Sequence, residues 1–186
     1  MSRPLPLDTD EKELIRQLRQ PAGRRQAFTR VVEQYSRPLY WQIRRMVYSH
    51  DDTDDILQNT FVKAWCNMDT FRGDSRLSTW LYRIAVNETL TFLQKQKEKH
   101  NTDSFTTTVV NGLEADEYFD GDAAALQLQR AISTLPEKQR LVFNMKYFDE
   151  MKYEDMSRIL QTSVGALKAS YHHAVKKIHD FLNTSD

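Results

Sequence analysis

Trp80, Arg83, Asn87 and Thr91 recur at three- and four-residue spacing, so on a helix an aromatic ring, a guanidinium and an amide share one stripe. Just upstream, Phe71-Arg72-Gly73-Asp74-Ser75-Arg76 adds a second ring and two more cations in a short loop. Aromatic faces beside cations suit unstacked nucleic-acid bases, because stacking is worth roughly 1 to 3 kcal/mol per base and tolerates any base, while the cations hold phosphates. The plainer reading of the same residues packs Trp80 and Phe71 in a core and leaves Arg83 solvated. A second group lies near the C-terminus, where Lys168, His172, Lys176 and His179 form one helical stripe with His173 and Lys177 beside it. From Gln161 to His179 there are three lysines and no acid, which suits phosphate attraction through counterion release. An ordinary amphipathic helix with cations near its C-terminus fits that stripe too. His172 and His173 do not make a metal pair, since adjacent helical residues point about 100° apart. No phosphate-binding glycine loop, zinc-ligand spacing or nucleophile elbow appears, so no catalytic residue, metal or cofactor is expected.

These groups need helices to present them. Ile56, Leu57, Thr60, Phe61, Ala64, Trp65 and Met68 make a core stripe on a first helix, with Asp55, Gln58, Asn59, Lys63 and Asn67 on its opposite face. Cys66, beside Trp65, reads as a packed thiol, and a lone cysteine forms no internal disulfide. Ser78 reads as the start of the next helix, Thr79 to about Lys97. Earlier, Asp8 and Glu11 form a capping-box pattern for a short helix ending near Pro21, and Ala22 to about Tyr35 forms another. Pro38 breaks or restarts the chain, and Leu39 to Tyr48 continues with Arg37, Arg44 and Arg45 outward. An Asp and Thr53 then cap the helix that carries Asp55.

From Asn101 to about Ala123 the periodicity stops while acids, glycines and hydroxyl residues accumulate, which is a linker pattern. Its aromatics Phe105, Tyr118 and Phe119 should dock on something. Beyond it, Thr134-Leu135-Pro136-Glu137 suggests a capping box opening Glu137 to Phe148, which buries Leu141, Val142 and Met145. A short helix, Tyr153 to Leu160, a turn at Gln161-Thr162-Ser163 and a long helix capped by Ser163 have the proportions of a helix-turn-helix. Strand signals are nearly absent. The expected fold is all-α: two helical domains, 1–100 and 124–186, joined by an acidic flexible linker, 101–123.

The chain has 186 residues, 28% charged and 40% hydrophobic, and its net charge of zero conceals an asymmetry. Residues 11–100 hold 16 Lys or Arg against 11 acids, residues 101–126 hold six acids and no Lys or Arg, and residues 127–182 hold nine against six. Two basic segments joined by an acidic one suit an anionic partner at both ends. No apolar run approaches a membrane span, and MSRPLPLDTD lacks the apolar region of a secretion signal, so a cytoplasmic location is expected.

The segments DDILQNTFVKAW and FRGDSRLSTWLYRIAVN closely resemble region 2 of the extracytoplasmic-function sigma factors, small promoter-recognition subunits of bacterial RNA polymerase. The stretch LPEKQRLVFNMKYFDEMKYEDMSRILQTSVGALKASYHHAVKKI resembles sigma region 4, which reads the −35 element. The resemblance implies that Asp55, Gln58 and Asn59 dock the clamp helices of the largest polymerase subunit. Many relatives carry Glu where this chain has Asn59. It also implies that the loop with Phe71, Arg72, Asp74 and Ser75, together with Trp80, Arg83, Ile84 and Asn87, receives a flipped base of the −10 element. Phe71 would be an apolar wall and Asn87 the reader of the base edge, with Arg72, Arg83, Lys95 and Lys97 on the backbone. Reading of the −35 element falls to Ser163, Lys168, Ser170, His172, His173 and Lys176. Lysine lacks arginine's bidentate fork to guanine, so the sequence preference there should differ from that of arginine-bearing relatives. Implied partners are core polymerase (clamp helices and the flap of the second subunit), promoter DNA and an anti-sigma factor, with no membrane insertion. Two rivals remain: a stand-alone helix-turn-helix regulator that binds duplex operator without polymerase, and a helical adaptor that binds no DNA.

Overall fold

The computed structural model describes residues 8–71, 73, 75–99 and 123–184, and among these the chain forms eight α-helices and no strand. They are α1 (Asp8–Leu18), α2 (Arg24–Val47), α3 (His50–Cys66), α4 (Leu77–Lys99), α5 (Ala123–Ser133), α6 (Glu137–Tyr147), α7 (Tyr153–Leu160) and α8 (Val164–Thr184). The acidic linker with Phe105, Tyr118 and Phe119 lies outside the described residues, as do Arg72 and Asp74.

The long helix α2 is the spine. Val31, Tyr35, Leu39, Ile43 and Met46 form a buried stripe at helical spacing, against which α1, α3 and α4 pack. Pro38 sits inside this helix without breaking it. Proline removes one amide donor, but buried Tyr35 and Leu39 on either side hold both half-helices to the same core. Ser36 Oγ also donates to the Val32 carbonyl at 2.5 Å, an added side-chain bond in the turn before the proline.

Helix starts also differ from the capping patterns. The Glu11 carboxylate accepts the backbone N–H of Leu77, so this acid caps the start of α4, 66 residues beyond it in the chain. Helix α4 thus begins at Leu77, and Ser78 is buried within its first turn. Ser49, not an Asp or Thr53, is the N-cap of α3: its Oγ accepts from Asp52 N at 3.3 Å, while Thr53 Oγ1 donates to the Ser49 carbonyl at 2.6 Å. Pro136 occupies the N-cap of α6 without a side-chain bond, and Thr134 Oγ1 donates back to Ala131 O at 2.7 Å. Ser163 does cap α8, accepting from Ala166 N at 3.3 Å.

Residues of the C-terminal half build two cores. Ala131, Ile132, Leu135, Phe143, Ala174 and Ile178 form a small core among α5, α6 and α8. Leu141, Val142, Met145, Met156, Ile159 and Leu167 instead join the large core made by α1–α4, with α6 against α2 and α7 against α4. The helix-turn-helix is therefore packed directly on the N-terminal helices.

Removing the borrowed cap should weaken the junction of α1 with α4. Glu11→Ala is expected to cost about 1 kcal/mol, the usual size of a lost N-cap. A thermal midpoint lower by roughly 2 to 4 °C is the readout, and an unchanged midpoint would mean that the Leu77 amide finds another acceptor.

Candidate nucleic-acid and polymerase interface

Helix α4 divides its residues cleanly. Leu77, Leu81, Tyr82, Ala85, Val86, Thr89 and Leu93 are buried, whereas Arg83, Asn87 and Thr91 are exposed and Trp80 and Ile84 half-buried. The stripe Trp80, Arg83, Ile84, Asn87 therefore exists on the surface. Phe71 is only 7% exposed, and its ring meets the Trp80 ring at a centroid distance of 5.1 Å and 40° tilt. Phe71 lies in the core beneath Trp80 and sets the angle at which that indole is presented. Ser75 is half-buried and its Oγ donates to the Arg76 carbonyl at 3.3 Å. Gly73 adopts φ +79°, a left-handed conformation that favours glycine and turns the chain between α3 and α4. Lys95 is exposed, but Lys97 reaches across to Glu137 of α6 in an ion pair.

On α3, Asp55, Gln58 and Asn59 are all exposed on one side of the helix. Sequence periodicity misjudged two neighbours. Trp65 is 40% exposed, leaning on Phe28 at 5.0 Å with the Arg24 guanidinium 5.3 Å from its ring. Cys66 is exposed rather than packed. Phe61, Ala64 and Met68 occupy the buried side, which leaves Trp65 at the edge of the stripe and Cys66 beyond it. Val62, which no pattern singled out, is 55% exposed and shares the face of Asp55, Gln58 and Asn59, which precede it by seven, four and three positions. An apolar residue centred on a polar face is the available signal for it. Lys63, on the border of this face, pairs with Glu88 of α4 at 2.5 Å.

In the helix-turn-helix, α7 and α8 meet through Met156, Ile159 and Leu167, and Gln161 makes the turn at φ +51°. Ser163, Lys168, His172, His173 and Lys176 are exposed, and Ser170 is half-buried. Lys168 Nζ lies 5.7 Å from the Tyr153 ring of α7, a contact that anchors the cation near the start of α8. Among the described residues no group of His, Cys, Asp and Glu could hold a metal ion. No helix among them is long and apolar enough to cross a membrane.

One cation expected outside is inside. Arg45 Nη1 is 2.7 Å from Asp149 Oδ1, with side chains 20% and 9% exposed, and its guanidinium lies 4.6 Å from the Phe148 ring. Burial holds the Asp149 carboxyl above its ordinary range, and the Arg45 charge and hydrogen bond oppose only part of that rise.

Comparison with known proteins gives these surfaces a family. Residues 31–99 match Sigma-70 region 2, and residues 125–178 match Sigma-70, region 4. The chain is 33% identical over 171 residues to the ECF RNA polymerase sigma factor SigW of Bacillus subtilis (strain 168), covering 87% of this chain and 90% of that protein. It is 30% identical over 171 residues to the ECF RNA polymerase sigma-E factor of Escherichia coli (strain K12), covering 84% and 86%. Among solved structures, CnrH in complex with the cytosolic domain of CnrY has a TM-score of 0.69 at 22% identity, covering 95% of this chain and 99% of that one. The sigma factor RpoE from Bartonella quintana, in complex with the anti-sigma factor NepR, has a TM-score of 0.66 at 21% identity, covering 86% and 98%. These two likenesses reproduce the fold, and the sequence matches run region 2 then region 4 in the order read from the residues. The chain belongs to the extracytoplasmic-function (ECF) RNA polymerase sigma factors.

Proposed function

We propose that this chain binds core RNA polymerase, directs it to promoters and opens the −10 strand, with no catalysis of its own. It would act in the cytoplasm and be restrained by an anti-sigma factor. The observation that carries this is the pairing of a region 2 and a region 4 match on one chain, each with its own exposed polar surface. The working division is residues 1–100 for polymerase docking and the −10 element, 101–123 as linker, and 124–186 for the −35 element.

On α3, Asp55, Gln58 and Asn59 would dock the polymerase clamp, with Val62 supplying the apolar centre that a polar face alone lacks. On α4, Trp80 offers a stacking face fixed from below by Phe71, Asn87 offers an amide to a base edge, and Arg83 offers a charge to the backbone. The resemblance adds Arg72, Asp74 and Ser75 to the proposed pocket. Flipping a base out of the stack costs a few kcal/mol, which stacking and edge bonds must offset. On α8, Lys168, His172, His173 and Lys176, with Ser163 and Ser170 beside them, would meet the −35 duplex. The duplex charge favours the lysines whatever the sequence, so specificity must come from the shorter side chains and from DNA shape.

Three variants separate these roles in transcription with core polymerase. Asn87→Ala should weaken promoters according to their −10 bases, by about 1 to 3 kcal/mol for the base it reads, and equal loss on every promoter would count against the pocket. Lys176→Ala should lower promoter affinity across sequences and make its salt dependence shallower by about one charge. Gln58→Ala combined with Asp55→Ala should weaken association with core polymerase while leaving the far-UV circular dichroism unchanged. Tight binding of the free chain to a duplex operator without polymerase would favour the stand-alone regulator instead.

A further inference from the structure

The loop before α4 is held by side chains that come from the start of the chain. It opens with the single turn Met68–Thr70, where Asp69 Oδ1 accepts from Arg24 Nη1 at 2.9 Å, and the same guanidinium lies 5.3 Å from the Trp65 ring. In its middle is Gly73, where a Cβ would stand 3.3 Å from Arg19 Nη2, so the Arg19 side chain lies against the loop backbone. It ends at Leu77, whose N–H the Glu11 carboxylate accepts. Three side chains from α1, the turn after it and the first residue of α2 thus meet the loop at its start, middle and end. The platform that carries them is itself fixed. Leu14, Leu18 and Ala27 are buried, and Arg30 Nη1 of α2 donates to Gln17 Oε1 of α1 at 3.3 Å. None of the three residues lies within 31–99, the stretch that matches Sigma-70 region 2.

We propose that Glu11, Arg19 and Arg24 are positioning residues for the −10 element: they fix the loop that receives its flipped base, acting through the shape of the loop and not by reading the base. This rests on the function proposed above. A loop that orders only around its base loses affinity to that ordering, whereas one held beforehand keeps it. Phe71 passes the constraint on, since its buried ring lies 5.1 Å from that of Trp80, the stacking face. The contribution of these contacts to stability is small by comparison. Asp69 is 82% exposed, and an ion pair so open to water adds little to the folding free energy. Contacts placed at the start, middle and end of one reading loop instead control its geometry, as a supporting shell does around a binding site. Discrimination among −10 bases therefore depends on residues that precede both α3 and α4 in the chain.

The test uses the full chain with Arg24→Asp, Asp69→Arg and the charge swap Arg24→Asp/Asp69→Arg, with Arg19→Ala beside them. Run-off transcription with core polymerase compares a promoter with its single-base −10 variants and, separately, with its −35 variants. Each single substitution should narrow the ratio between parent and altered −10 bases about two- to five-fold, while the −35 ratios stay as in the wild type. The charge swap should restore the −10 ratio. Equal loss on every promoter with both ratios unchanged is what a merely structural role gives, and it would overturn the proposal. A matching change in the −35 ratios, or a −10 ratio that the swap fails to recover, would overturn it too. Hydrogen exchange of the free chain gives a second readout at the Phe71 amide, which donates to the Met68 carbonyl at 3.1 Å. That amide should exchange faster in the Arg24 and Asp69 single variants, and unchanged rates would overturn the hold on the loop. If no version supports transcription, the proposed function fails and the −10 role with it, while the exchange rates still decide whether these residues hold the loop.

Discussion

The buried stripe of α2 is the constraint on which the other elements depend. Val31, Tyr35, Leu39, Ile43 and Met46 are almost wholly removed from water, and at roughly 1.5 to 3 kcal/mol for each large apolar side chain their burial outweighs the missing amide of Pro38. Because that seam holds α3 and α4 by their inner faces, the outer faces stay free for polar and aromatic groups that contribute little to stability. Asp55, Gln58 and Asn59 on α3 and Trp80, Arg83 and Asn87 on α4 occupy those outer faces. Stability thus comes from the inner side of these two helices, and the proposed recognition from the outer side.

The same division explains which parts of the molecule were legible in the residues. Helical periodicity located most of the described helices within a few residues, although the two helices expected on either side of Pro38 are one, and it put Ile56, Phe61, Ala64, Leu141, Val142 and Met145 inside correctly. It failed where a residue's environment comes from a distant segment. Arg45 looked solvated because its partner Asp149 is 104 positions away. Glu11 looked like half of a local box, but the amide it caps belongs to Leu77, 66 positions on. Trp65 and Cys66 lie at the margin of a buried stripe, where a period of 3.6 cannot decide the side. Phe71 is buried against Trp80, and helical spacing cannot reach a residue that lies outside both helices.

One signal was available for the contact between the halves. Helix α6 carries Leu141, Val142, Phe143 and Met145 almost consecutively, and a helix apolar around its circumference must be covered on more than one side. Phe143 faces the small core of α5 and α8, and Leu141, Val142 and Met145 face the large one. Two helical units joined by an acidic segment therefore share an interface that composition alone did not reveal.

On the proposed function, one chain engages two DNA elements at once while bound to polymerase. The most direct measurement is run-off transcription by core polymerase with this chain from a promoter whose spacer is lengthened by about 5 base pairs, half a helical turn. Rotating one element to the far side of the duplex should abolish the transcript, and adding the same bases upstream of both elements should leave it intact. Undiminished transcription from the lengthened spacer would contradict the account.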